Sequence, residues 1–386
     1  MEGLPKKLRK KLQKREESNA LRVLPEDNAR VDFASNDYLG FAKSKAIFFR
    51  THEVLNENDI CVNGASGSRL LSGNHVLYND IENYLADFHN AEAALVFNSG
   101  YDANLGFFSS VPQRGDVIFY DEFIHASIRD GLALSNAKSY KFRHNSLEDL
   151  EEKIKKLRLD GNYSGLIEVY IVTESVFSMD GDTPDLLNLV TFCEKNNCNL
   201  IVDEAHAAGV FGESGCGLIQ EFKIEAHIFA RINTFGKALG CHGAVILGSR
   251  ELKSYLVNFA RSFIYTTGLP PHSLATIRAS YAELIDTPEI KKLQGNISLF
   301  NTIIEEKNLN PLFIKSVSAI HCCVISGNEK VKKIAALIQE KGFDVKPILS
   351  PTVPVGKERL RFCIHSYNSQ DEIENVLALL ATFVSN

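Results

Sequence analysis

Between residues 75 and 270, short apolar runs alternate with helical stretches, and several of the runs end on a polar cluster. Ala94–Phe97 leads into Asn98-Ser99-Gly100, Val117–Tyr120 into Asp121, Val169–Val172 into Thr173-Glu174-Ser175, and Leu200–Val202 into Asp203. Further strand-like runs follow at Ile228–Phe235, Ala244–Leu247 and Phe263–Tyr265, and helical patterns such as Leu147–Leu159 and Leu186–Glu194 lie between the runs. Strands alternating with helices predict an α/β fold with a mainly parallel sheet covered on both faces. In such a sheet ligands bind at the carboxyl ends of the strands, where the polar clusters fall.

The last part of the chain has a different pattern. After an opening helical stretch, strand-like runs at Ala319–Ile325, Phe343–Ile348 and Leu360–His365 alternate with helices at Lys330–Lys341 and Gln370–Phe383. A smaller α+β domain is expected there. The expected division of the 386 residues is an N-terminal segment over 1–45, a large domain over 46–275 and a small domain over 276–386.

Charge and composition exclude several classes. The net charge is −6, so the chain as a whole has no electrostatic pull on nucleic acid. No apolar stretch is long enough to span a bilayer. The eight cysteines form no Cys-x-x-Cys pair, so no zinc-site spacing is present and no metal is expected. They read as small buried hydrophobes in a reducing compartment, and the charged start lacks a leader pattern, so a cytoplasmic location is expected. Seven of residues 6–15 are Lys or Arg, and Leu4, Leu8 and Leu12 recur at helical spacing. This arm is expected to be an amphipathic helix packed on the body or on a partner subunit.

The chemistry concentrates in two places. Leu200-Ile201-Val202-Asp203-Glu204-Ala205-His206 is an apolar strand ending in an acidic cluster. A nucleotide-hydrolysing reading needs a Gly-x-x-x-x-Gly-Lys-Ser/Thr loop, which the chain lacks. Thr234-Phe235-Gly236-Lys237 follows about one βα unit later, with Ala238-Leu239-Gly240 after it. A lysine in apolar surroundings has a depressed pKa and becomes a nucleophilic amine. Together with a strand-end aspartate it points to pyridoxal phosphate, held by the lysine as a Schiff base and kept protonated on its ring nitrogen by the aspartate. Asn98-Ser99-Gly100-Tyr101 stands before a helical stretch, where helix amides and a small hydroxyl suit a phosphate. The same residues also make an ordinary helix cap.

Eight blocks, in order, resemble the α-oxoamine synthases. They are Ser35-Asn36-Asp37-Tyr38-Leu39-Gly40, Ser68-Arg69-Leu70-Leu71-Ser72-Gly73, His125-Ala126-Ser127, Val176-Phe177-Ser178-Met179-Asp180-Gly181-Asp182, Asp203-Glu204-Ala205-His206, Thr234-Phe235-Gly236-Lys237, Pro351-Thr352-Val353-Pro354 and Arg359-Leu360-Arg361. The resemblance implies fold type I of the pyridoxal 5′-phosphate enzymes, with a mainly parallel seven-stranded sheet and a smaller C-terminal domain. It implies that Lys237 carries the cofactor, Asp203 pairs with its ring nitrogen, His206 and Ser178 contact its phenolic oxygen, and His125 stacks on its face. Ser99, Gly100, Tyr101 and Thr234 would border the phosphate. Thr266 or Thr267 would reach a neighbouring subunit's phosphate, which implies a homodimer with shared sites. Arg361, Asn36, Arg22 and Thr352 would bind substrate, Arg361 by clamping the amino-acid carboxylate.

The reaction so implied condenses an amino acid with an acyl-CoA or acyl-carrier thioester and releases carbon dioxide. The Ser68–Gly73 block and the compact length lean towards L-alanine and pimeloyl-CoA, whereas other members pair glycine or serine with other acyl chains. The glycine-rich segment has Ser66 where glycine is usual in the family. A non-catalytic cofactor-binding regulator is the alternative of a different class, and the intact Lys237, Asp203 and Arg361 argue against it.

Overall fold

The computed structural model describes residues 3–24, 29–159 and 167–385. The chain forms two compact units. One comprises Asn36–Ser178 and Asp182–Leu293; the other takes the residues before Asn36, Met179–Gly181 and those from Gln294 onward. The segment before Asn36 joins the C-terminal part through the parallel pairing of Val31–Asp32 with Phe343–Asp344. The partition 1–45, 46–275 and 276–386 stands as a proposal about folding domains.

The larger unit is built on seven strands: β1 (Ala93–Phe97), β2 (Val117–Asp121), β3 (Lys138–Phe142), β4 (Val169–Glu174), β5 (Asn199–Asp203), β6 (Ala230–Thr234) and β7 (Ala244–Gly248). Their spatial order is β1-β7-β6-β5-β4-β2-β3. Pairings among β2 to β6 are parallel, and β7 runs antiparallel to both its neighbours. This is the mainly parallel seven-stranded sheet expected. β1 and β4 are buried at every position, which is why they read as unbroken apolar runs rather than alternating ones.

Two features of this unit depart from the sequence reading. β3, Lys-Ser-Tyr-Lys-Phe, is exposed at four of its five positions. It is an edge strand whose lysines discourage pairing with another chain, so it carries no apolar run to detect. Phe263–Tyr265, read as a strand, instead falls at the short helix Arg261–Ile264. A three-residue apolar run has no period with which to tell the two apart.

The flanking helices follow local rules. Val76–Phe88 buries Leu77, Tyr78, Ile81, Glu82 and Leu85 along one face. Leu186–Asn196 starts at Asp185, whose side chain accepts from Asn188 N, and stops at Asn197 in the left-handed region (φ 49°). Gly100–Ser110 starts at Ser99, which accepts from Asp102 N.

The smaller unit holds a three-stranded antiparallel sheet of β8 (Ile320–Val324), β9 (Lys346–Ile348) and β10 (Arg359–Cys363), in the order β9-β10-β8. Helices Asn328–Glu340 and Gln370–Ser385 belong to the same unit. The arm does form a helix, Lys6–Glu17, but it buries no residue, and Leu4, Leu8 and Leu12 remain exposed. The expected packing of its leucine face on the body does not occur in this chain. The cysteine expectation holds for five of the eight. Cys61 is exposed and Cys198 and Cys241 are half-buried. Among the described residues, no helix is long and apolar enough to cross a membrane.

Candidate active site

The carboxyl ends of adjoining strands deliver the polar residues to one cavity. It is lined by Gly100, Tyr101, Asn104, His125, Ser127, Glu174, Asp203, Ala205, His206, Ile232, Thr234 and Lys237. Seven of the residues expected at a cofactor site are therefore together: Gly100, Tyr101, His125, Asp203, His206, Thr234 and Lys237.

Asp203 closes β5 and is buried. Its Oδ1 accepts from Ala205 N (2.9 Å) and its Oδ2 from Asn104 Nδ2 (3.0 Å). The same Asn104 amide donates to Ser127 Oγ (3.0 Å), and Ser127 Oγ lies 2.7 Å from His125 Nδ1. Ser127 N also donates to His125 Nδ1 (3.2 Å). A ring nitrogen that accepts a backbone N–H carries no proton, so the neutral imidazole is protonated on Nε2. Burial and the Lys237 charge push the His125 pKa down, against the pull of Asp203, which keeps the ring neutral.

Glu174, at the end of β4, stands beside Asp203 in register. It is buried and accepts from the backbone N–H of His125. Burial, reinforced by the Asp203 charge, raises its pKa well above the carboxylate range. That shift favours the protonated acid at Glu174.

Lys237 sits half-buried in a tight connection between β6 and β7. Phe235 N donates to Gly243 O, Cys241 N to Phe235 O and Gly240 N to Lys237 O. Phe235, Ala238 and Leu239 around it are buried. Gly240 makes the turn possible: its φ is +62°, and a Cβ there would lie 2.1 Å from Ala42 N.

The remaining expected residues are placed as follows. Ser99 caps the helix that begins at Gly100, and its Oγ donates to Asp102 Oδ2 (2.8 Å). Ser178 is buried in the turn after β4. Tyr38 OH lies 2.7 Å from His206 Nδ1 and donates to Asn36 Oδ1 (3.2 Å). Asn98 Nδ2 donates to Thr266 Oγ1 (3.0 Å) and to Thr267 O (2.7 Å), fixing that loop against the end of β1. Arg361, Thr352 and Arg22 belong to the smaller unit. There Arg361 lies on β10 with Nη1 2.8 Å from Cys363 Sγ, while Thr352 and Arg22 are exposed. Sequence reasoning missed Asn104, and it placed Ser127 in the His125-Ala126-Ser127 block without giving it a role. Asn104 follows Gly100 by four residues and so shares its helix face; that spacing was the available signal.

The donor set fits pyridoxal 5′-phosphate. An amine (Lys237), a buried carboxylate held by an amide (Asp203) and a helix N-terminus beside a hydroxyl (Gly100, Thr234) answer to its aldehyde, ring nitrogen and phosphate. A Cβ added at Gly100 would lie 3.4 Å from Thr234 Cβ and Oγ1, so glycine keeps that cradle open.

Comparison with known proteins gives a consistent picture. The family profile described as aminotransferase class I and II matches residues 29–380. The chain is 41% identical over 395 residues to an 8-amino-7-oxononanoate synthase of Emericella nidulans, covering 98% of this chain and 95% of that protein. A crystal structure of 8-amino-7-oxononanoate synthase from Francisella tularensis superposes with a TM-score of 0.77 at 30% identity, covering 93% of this chain and 99% of that one. A serine palmitoyltransferase from S. paucimobilis, with a bound pyridoxal phosphate–myriocin adduct, gives a TM-score of 0.87 at 25% identity over 98% and 97% of the two chains.

Proposed function

The chain belongs to the α-oxoamine synthases of the class I and II aminotransferase family, and on that premise we propose that it joins L-alanine to a pimeloyl thioester. The products are 8-amino-7-oxononanoate, carbon dioxide and the free thiol, coenzyme A when that is the carrier. The enzyme depends on pyridoxal 5′-phosphate. The observation that carries the reading is the meeting of Lys237, Asp203, His125 and the Gly100–Thr234 cradle in one cavity. The choice of alanine and a pimeloyl chain is supported by the extent of similarity to the Emericella nidulans protein.

When bound, the cofactor draws electrons from the α-carbon of the amino acid, so that a proton and later carbon dioxide can leave. The chain's own residues do the rest. Lys237 supplies the amine that holds the cofactor and, once released, takes the α-proton and returns it after the loss of carbon dioxide. Asp203 keeps the ring nitrogen protonated, and Asn104 fixes the orientation of that carboxylate. His206, aligned by Tyr38, and Ser178 hold the phenolic oxygen. His125 presents its Nε2–H to the thioester oxygen as negative charge develops there. Ser99, Gly100, Tyr101 and Thr234 hold the phosphate. Arg361, with Asn36, Arg22 and Thr352, binds the substrates; its planar fork suits a carboxylate.

The working form in this reading is a homodimer in which Thr266 or Thr267 meets the partner subunit's phosphate. Exposed Leu71 and Tyr265 supply apolar surface for such a contact. The eight cysteines, none of them in a disulfide, suit a reducing, cytoplasmic setting. The test is to mass-analyse products from the cofactor-loaded protein given L-alanine, glycine or L-serine with pimeloyl-, acetyl- or palmitoyl-CoA. Formation of 8-amino-7-oxononanoate with stoichiometric free thiol is the expected result. Turnover confined to serine with palmitoyl-CoA, or to glycine, would overturn the substrate assignment and leave the family intact.

A further inference from the structure

His144 lies outside the cavity yet between two of the turns that serve it. Its Nδ1 is 2.9 Å from Asp121 Oδ1 and its Nε2 is 2.8 Å from Asp182 Oδ2. Each ring nitrogen thus faces a carboxylate oxygen, and only an imidazolium has an N–H for both. The two carboxylates belong to different turns.

Asp121 ends β2 and is fully buried. Its Oδ1 also accepts from Phe123 N (2.8 Å), its Oδ2 from Asn145 N (2.8 Å), and its backbone oxygen from Ile124 N (3.2 Å). Those contacts shape the turn that presents His125. Asp182 closes the other turn. Its backbone oxygen accepts from Phe177 N (3.0 Å), and its Oδ2 also accepts from Asn145 Nδ2 (2.8 Å). That turn begins with Ser178.

Two rings complete the arrangement. Phe123, two residues before His125, lies over the imidazole with centroids 4.4 Å apart and planes 31° from parallel. Phe177, next to Ser178, meets it edge-on at 4.5 Å. The imidazole therefore touches the near neighbours of two residues expected to contact the cofactor, while lining no part of the cavity itself.

We propose that His144 is a positioning residue, a charged bridge that locks the His125 turn to the Ser178 turn and so fixes the cofactor face and its phenolic oxygen. The two aspartates raise the His144 pKa to about 9 against the effect of burial, so the bridge is charged at neutral pH. Cutting it frees both turns at once. Misplacing a reacting group by about 1 Å costs on the order of 100-fold in rate.

This rests on the roles given above to His125 and Ser178, so the test includes cofactor binding as well as turnover. His144→Ala, His144→Gln and Asp182→Asn are compared with the wild type in the cofactor-loaded full chain. Measurements are kcat, KM for each substrate, the dissociation constant for pyridoxal 5′-phosphate, and the visible circular dichroism of the bound cofactor well below the melting temperature. The glutamine and asparagine variants keep side-chain size, so a failure of His144→Ala to fold leaves the question answerable.

The expected result is a fall in kcat and a rise in the cofactor dissociation constant, each of about tenfold or more, with KM values changed less than about threefold and a weakened dichroic band. Folded variants with wild-type cofactor affinity, dichroism and kcat would overturn the proposal, even if their melting temperatures fell. A wild type that binds the cofactor but makes no amino ketone would sink the proposed function instead; the affinity and dichroism comparison would still decide the case of His144.

Discussion

Glu82 is a buried carboxylate with three partners away from the cavity, and replacing it with glutamine puts the packing argument at risk. Glu82 sits on helix Val76–Phe88 at 1% exposure. It accepts from Val96 N (2.9 Å), pairs with Arg69 Nη1 (2.5 Å) and pairs with Lys253 Nζ (2.8 Å). Glutamine keeps the size and an acceptor for Val96 N, but removes the charge. Lys253 is 32% exposed and can turn to water, so its share is at most about 1 kcal/mol.

Arg69 has no such exit. Its side chain is 9% exposed, its guanidinium lies 3.7 Å from the Tyr78 ring centroid, and its Nε donates to Asn74 Oδ1. Stranding one member of a buried pair costs about 3–5 kcal/mol. The amide oxygen of glutamine still accepts one bond, so the expected loss is near the low end, about 3 kcal/mol. With a urea slope of about 3 kcal/mol/M, the unfolding midpoint at saturating cofactor falls by about 1 M. Adding Arg69→Met to Glu82→Gln removes the stranded charge and should recover part of the loss. A single-variant shift below about 0.2 M, or a double variant as weak as the sum of its parts, would refute the reasoning.

Glu174→Gln mimics the protonated acid and should leave kcat within about threefold of wild type, whereas a loss of about 100-fold in steady-state turnover would mean that the ionised carboxylate is needed. The pH dependence of stability has two edges. The His144 pKa is raised from 6.5 to about 9, so its contribution is fully present below 6.5 and is lost as pH rises through 9. The Asp32 pKa is lowered from 3.8 to about 2, so its contribution is present above 3.8 and is lost as pH falls through 2. Urea midpoints taken from about pH 6 to about pH 10 should fall for the wild type and fall less for His144→Gln. Gly181→Ala should cost about 3 kcal/mol or more, because φ is +79° and a Cβ would lie 2.0 Å from the backbone oxygen of Ile320. Its urea midpoint and soluble yield should both drop.

What could be read from the sequence follows from how each element meets water. β5 is Asn-Leu-Ile-Val-Asp, buried from Leu200 to Asp203, and an apolar run ending in a charge announces both the strand and its functional end. β3 has neither mark, because an edge strand satisfies its surface with lysine and serine. The same contrast holds in the site. Lys237 and Asp203 stood out because a charged side chain in apolar surroundings is costly unless it has a task. Asn104 did not, and Ser127 had no role of its own within its block, because a polar residue inside a helix is ordinary until its partner across the fold is known. Glu174 was visible as a strand end, but its raised pKa comes from burial and from Asp203 standing beside it in register, and both are properties of the assembled sheet. His144 was hidden for the same reason, since its partners lie 23 and 38 residues away along the chain.

The one reversed strand of the large sheet has a consequence for the cofactor cradle. β1 and β6 are each antiparallel to β7, so they run parallel to each other and their carboxyl ends share an edge. The register is matched as well: Ala244 is the partner of both Phe97 and Thr234. Phe97 and Thr234 therefore stand at the same level on either side of one small buried residue. The chain leaving Phe97 turns at Asn98 and starts its helix at Gly100, which brings the helix N-terminus against the Thr234 side chain. A forward strand in the place of β7 would keep the two ends on one edge only by adding a crossover helix, and these connections take a dozen or more residues. Here the step from Thr234 to Ala244 takes nine intervening residues, and those nine contain Lys237. Reversal of a single strand thus shortens the connection, confines Lys237 to a tight turn and sets it beside the phosphate cradle.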